Sequence, residues 1–126
     1  MLTTAQPITH FFTKVVGVTH PNSDGSDRQE IIQGCKPCEQ VFLRPEPENP
    51  FDPNAIAVDR EQGEQLGYLP AGLAKELKQD CEHIAFIWAV LGGEGGFSTL
   101  GVQLVVIRAE EGVTPEEIQE YIDSSV

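Results

Sequence analysis

Apolar and polar positions alternate with a period near two along most of the chain, and only two stretches change to a helical period. "FFTKVVGVT" (11–19) is rich in β-branched and aromatic residues and predicts a strand. It runs into "HPNSDGSD", whose Pro, Asn, Ser and Gly mark a loop. "RQEIIQGC" and "EQVFLR" read as the next strands, separated by the "KP" turn. "NAIAVDR" and "EQLGYL" flank "EQG" as a hairpin.

The period then changes. "PAGLAKELKQDCEHI" places Leu73, Leu77, Cys81 and Ile84 on one stripe, and Pro70 suits the first turn of a helix. Two longer strands follow, "HIAFIWAVLGG" and "LGVQLVVIRA". The first is apolar on both faces, as expected where one face fills a barrel and the other meets the helix, with Trp88 in the core. The tail "TPEEIQEYIDSSV" carries a capping box, with Thr114 as N-cap, Pro115 in the first turn and Glu117 three residues after the cap. It predicts an acidic helix whose Ile118, Tyr121 and Ile122 pack back on the domain or on a partner. The elements sum to a mainly β (α+β) fold. The expected architecture is a small antiparallel β-barrel, OB/SH3-like, with one inserted helix and a C-terminal helix. The barrel domain takes residues 11–109 and the acidic helical extension residues 110–126.

Composition sets the scale. The 126 residues are 40% hydrophobic, enough for one domain with a modest core. No apolar run reaches the about 18–20 residues of a membrane span. The N-terminus "MLTTAQPITHFF" lacks a charged segment followed by an apolar one. A cytoplasmic location with no membrane partner is the expectation. Charge argues against long-range steering toward nucleic acid, because 20 acidic and 8 basic residues leave a net charge of -12. The excess is uneven. Residues 110–126 hold six carboxylates (Glu110, Glu111, Glu116, Glu117, Glu120, Asp123) and no Lys or Arg, whereas residues 1–45 are balanced.

Candidate chemistry is sparse. Cys35 and Cys38 form "CKPC", yet the expected turn between two strands is the wrong setting for thioredoxin-like chemistry. No second pair completes a zinc set, so neither a metal nor a cofactor is expected. There is no G-x-S-x-G, P-loop or H-E-x-x-H, and the chain does not read as an enzyme.

The most distinctive stretch is "LRPEPENPFDPNAIAV" (43–58), followed by "GEQLGYLPAGLAKEL" (63–77) and preceded by "VVGVTHPNSDGSDRQEII" (15–32). This combination resembles the HIRAN domain family in its small bacterial form, over about residues 11–109. The resemblance implies a noncatalytic module that holds the 3′-hydroxyl end of single-stranded DNA, in repair or replication-fork processing, alongside a separately encoded helicase or nuclease. It also implies a pocket beside the 49–52 loop. Asp52 would accept a hydrogen bond from the terminal hydroxyl, and Phe51, where the family often has Tyr, would stack a base. The amides of Glu48 and Asn49, the Asn49 side chain and the Tyr68 hydroxyl would meet phosphate oxygens. The chain departs from the DNA-binding relatives at Thr19 and His20, where they carry an arginine and an aromatic residue. His20 can still stack, and Arg28 or Arg44 are the candidate replacements for the lost cation.

Each residue also has a structural reading. Asn49 and Asp52 suit turn capping, Phe51 suits a core plug, and Tyr68 suits a barrel position with a surface hydroxyl. The alternative function is a protein-interaction domain with a decayed DNA pocket. A weaker one is capture of a nucleotide or other small anion.

Overall fold

A computed structural model describes residues 7–77, 82–92 and 99–126. Its elements in chain order are β1 (Ile8–Lys14), α1 (Arg28–Gln33), β2 (Gln40–Pro45), β3 (Ile56–Arg60), β4 (Gln65–Tyr68), α2 (Ala71–Leu77), β5 (Glu82–Leu91), β6 (Gly101–Ala109) and α3 (Pro115–Ser125). The six strands form one antiparallel sheet in the order β1-β6-β5-β2-β3-β4.

The sheet curls until its two ends touch. Beyond β1 the chain continues to Val16, which exchanges two backbone hydrogen bonds with Tyr68 of β4, at 2.8 and 2.9 Å. Gly67 makes this approach possible, because a Cβ there would run into the Val16 carbonyl oxygen. The mainly β fold of the sequence reading is the one observed. No described helix is long and apolar enough to cross a membrane.

Two apolar clusters hold the sheet. The inner one gathers Val15, Ile32, Val41, Val58, Leu66, Ile87 and Leu104 among others, inside the curl. The outer one lies where Ile118, Tyr121 and Ile122 of α3 cover Ile84, Phe86, Val105 and Ile107. The α3 cap follows the expected pattern. Thr114 Oγ1 accepts from the Glu117 amide at 3.1 Å, and Glu117 accepts in return from the Thr114 amide at 2.9 Å.

Several elements differ from the sequence reading. "RQEIIQGC" begins with a helix, α1, and is not a strand. Asp27 caps it by accepting from the Gln29 amide at 2.9 Å, and Arg28, Ile31, Ile32 and Cys35 are all buried at helical spacing. The adjacent Ile pair favoured a strand locally, and burial of one helical stripe overrides it. The "CKPC" turn therefore joins a helix to a strand. The first strand is also shifted to Ile8–Lys14.

The inserted helix α2 covers Ala71–Leu77, while Ile84 belongs to β5; the part of the expected helix at 78–81 lies outside the described residues. Trp88 is 47% exposed, not core. A register shift between Ile87 and Ala89 interrupts the alternation, and the indole lies on the surface against Phe12.

Candidate nucleic-acid interface

The chain from Glu46 to Ala55 links β2 to β3 and builds its own turns. Asn49 Oδ1 accepts from the amides of Phe51 (2.8 Å) and Asp52 (3.1 Å), and Asp52 Oδ1 accepts from the Asn54 amide at 2.9 Å. The Asn49 amide donates to the Glu46 carbonyl at 3.0 Å, and Glu46 and Ala55 close the base of the loop at 2.9 Å. These bonds hold Phe51 outward, 96% exposed, so it plugs no core.

Glu46 ties this loop to the rest of the sheet. Its Oε1 accepts from Asn49 Nδ2 and from the Tyr68 hydroxyl, both at 2.9 Å, and its Oε2 accepts from Arg44 at 2.8 Å. Burial alone would raise its pKa. The donors from Asn49, Tyr68 and Arg44 outweigh burial and hold the carboxyl below its ordinary value.

A cleft of about 630 Å³ opens between this loop, the start of α2 and the segment that follows β1. Six of the sequence candidates line it: His20, Arg28, Asn49, Phe51, Asp52 and Tyr68. Three do not. Thr19 and Glu48 are exposed outside its lining, and Arg44 lies on β2, where it makes a forked contact to Asp59 at 2.6 and 3.3 Å. That contact, with the bond to Glu46, holds the Arg44 guanidinium firmly charged.

Arg28 is the cleft's cation. It is 6% exposed, and its Nε donates to Asn22 Oδ1 at 2.6 Å while NH1 donates to the Gly17 carbonyl at 2.7 Å. Its guanidinium carbon sits 5.4 Å from the Tyr68 ring centroid, a cation–π arrangement. Among the described residues no carboxylate lies within 4.0 Å of it. Gly17 has φ +74°, a backbone state that directs its carbonyl to Arg28 without the strain another residue would bring. A buried cation held, among the described residues, by neutral acceptors and a ring face, in one cleft with the carboxylate of Asp52, can take an anion and a hydroxyl donor together.

Two contributors were missed in the sequence. Asn22 is buried and fixes Arg28, with its Nδ2 donating to Ser26 Oγ at 3.1 Å and to the Gln65 carbonyl at 3.0 Å. Glu46 sets the loop and Tyr68 together. The local signal for Glu46 is its place three residues before Asn49, the spacing of a side-chain-braced turn.

The remaining chemistry stays outside the cleft. Burial pushes the Cys35 thiol up to about 11, away from reactivity, while Cys38 is exposed at φ +72°. Among the described residues no group of three or more His, Cys, Asp or Glu is placed to hold a metal.

The HIRAN domain family model matches residues 8–83. Among solved structures, the HIRAN domain of human HLTF is similar at 22% identity and a TM-score of 0.54, covering 90% of this chain and 84% of that one. A protein from Lactobacillus plantarum is similar at 20% identity and a TM-score of 0.60, covering 82% of this chain and 98% of the other. At these identities the two structures bear on the fold. No curated protein matches significantly.

Proposed function

Because this chain belongs to the HIRAN domain family, known for DNA-binding modules, we propose that its cleft reads the 3′-hydroxyl end of single-stranded DNA without catalysing a reaction. The observation that carries this reading is Arg28, a buried guanidinium with no carboxylate partner among the described residues, in one cleft with Asp52. Arg28 meets the phosphate next to the terminal nucleotide, in place of the arginine that Thr19 does not supply. Asp52 accepts from the terminal hydroxyl and repels a terminal phosphate. Phe51 offers a ring face to a base, with His20 across the cleft. Asn49 acts mainly by shaping the loop, since its oxygen already accepts from two amides. Repair or replication-fork processing, with a separately encoded helicase or nuclease, is the setting that suits such a module.

Fluorescence anisotropy at low salt tests this with three oligonucleotides of one sequence: a free 3′-hydroxyl, a 3′-phosphate and a circle. The expected result is binding to the first alone, with a log–log salt slope of about -0.7 for each phosphate neutralised. Equal binding to all three, or none, would sink the end-reader and turn attention to protein partners of the acidic helix.

A further inference from the structure

Side chains alternate along β1 and the residues after it. Phe11 and Val15 pack into the inner core, while Phe12, Lys14 and Val16 are exposed on the other side. Val16 lines the cleft. Four residues of extended chain, about 13 Å, separate it from Phe12. There the Phe12 ring (45% exposed) meets Trp88 (47% exposed) edge-on, with centroids 5.0 Å apart. Lys14, between the cleft and this pair, makes no ion pair with a described residue.

The charge of this face sets it apart. In a chain with 20 acidic residues, β1 ("ITHFFTK") and its neighbour β6 ("GVQLVVIRA") contain none, and Lys14 is their cation on this face, since Arg108 pairs with Thr9 and lies on the Phe11 side. The face ends at His10, whose Nδ1 hydrogen-bonds the Tyr121 hydroxyl of the acidic helix α3 at 2.7 Å. A lysine, two ring faces and, among the described residues of β1 and β6, no carboxylate suit a polyanion with flat bases better than an apolar peptide.

We propose that single-stranded DNA leaves the cleft along the exposed face of β1, passing Lys14 and stacking a base on the Phe12–Trp88 pair. The inference rests on the cleft as a 3′-end pocket and extends that site toward the 5′ side. Carboxylates of α3 repel the strand beyond His10, so the site spans only a few nucleotides.

Trp88 is the chain's only tryptophan, so its emission reports this surface alone. The full chain is titrated with a dinucleotide and a decanucleotide, each with a free 3′-hydroxyl, and each is also competed against a labelled 3′-end ligand. Both should compete, and only the decanucleotide should quench Trp88, with affinity about tenfold higher from the added stacking. Phe12→Ala and Lys14→Glu, with folding checked by circular dichroism, should lower decanucleotide affinity toward that of the dinucleotide and leave dinucleotide binding unchanged. Equal affinity for both lengths with unchanged emission overturns the path and leaves the end pocket standing. A circular oligonucleotide that quenches as fully as the linear one overturns the end pocket and keeps the aromatic surface. Absence of binding by either length overturns both. Emission that changes on dilution of the protein alone, with a matching mass change in ultracentrifugation, assigns the face to a second copy of the chain and overturns the proposal.

Discussion

Arg28 and the pair Arg44 and Arg60 define two regions with opposite electrostatic logic. On the β2–β3 side, Arg44 lies between Glu46 and Asp59, and Arg60 between Glu39 and Glu64, so each cation is neutralised twice. At the cleft, Arg28 is more buried than either and has no carboxylate partner among the described residues. With 20 acidic residues in the chain, leaving this guanidinium without one concentrates positive potential in a single place. Net charge describes long-range steering; the cleft is governed by which cation is left open. A chain at -12 can therefore hold an anionic end at short range, with weak salt dependence.

Substituting the open cation should have the largest effect. Arg28→Met leaves Asn22 Oδ1 and the Gly17 carbonyl without their donor, and is expected to abolish DNA binding and lower stability by about 1–3 kcal/mol. Arg28→Lys, which keeps charge but loses the planar fork, separates the two effects and should recover part of the stability more readily than affinity. Anisotropy and urea denaturation read both. Full DNA affinity in a folded Arg28→Met protein would break the contrast between the regions.

Asp52→Ala should come next. It is expected to lower affinity for a free 3′ end by about tenfold and to erase the preference over a 3′-phosphate, since the repelling carboxylate is gone. Loss of the bond to the Asn54 amide should cost stability no more than about 1 kcal/mol.

Glu46→Gln tests the brace between the regions. The amide oxygen can still accept from Asn49 and Tyr68, but the charge facing Arg44 is lost, so DNA affinity should fall about threefold to fivefold, equivalent to about 1 kcal/mol or less. The carboxyl has its pKa held below its ordinary value in the folded chain. Its contribution to stability is thus present above the unfolded value and is lost as pH falls through the folded one. Denaturation from neutrality into that acid range should show a steeper loss for the wild type than for Glu46→Gln.

Arg44→Met should have the smallest effect on DNA, within about twofold, while the buried Asp59 carboxylate loses its guanidinium partner and stability falls by about 1–3 kcal/mol. An affinity loss matching that of Arg28→Met would erase the distinction between the paired and open arginines.

Legibility in the sequence followed the range of the interactions. The α3 cap and the β3–β4 hairpin were readable because their determinants lie within a few residues, as at Thr114 and Glu117. The 49–52 loop and its neighbours in the cleft came from motif resemblance. Helix α1 was hidden because its Ile pair satisfies strand propensity, and only the buried stripe from Arg28 to Cys35 distinguishes it. The exposure of Trp88 depends on a register shift against β6 that no local pattern encodes. Asn22 and Glu46 act on residues 43 and 22 positions away, Gln65 and Tyr68, so their roles emerge only when the sheet curls.

The meeting of Val16 with Tyr68 gives the sheet a seam of two hydrogen bonds, and both residues also line the cleft. An occupant seated there spans the seam like a rivet across two plates. Amide hydrogen exchange at Val16 and Tyr68 should slow when the cleft is filled, because parting the seam then requires releasing the occupant. Fraying of the sheet then waits on dissociation, and the seam parts no faster than the proposed occupant leaves the cleft.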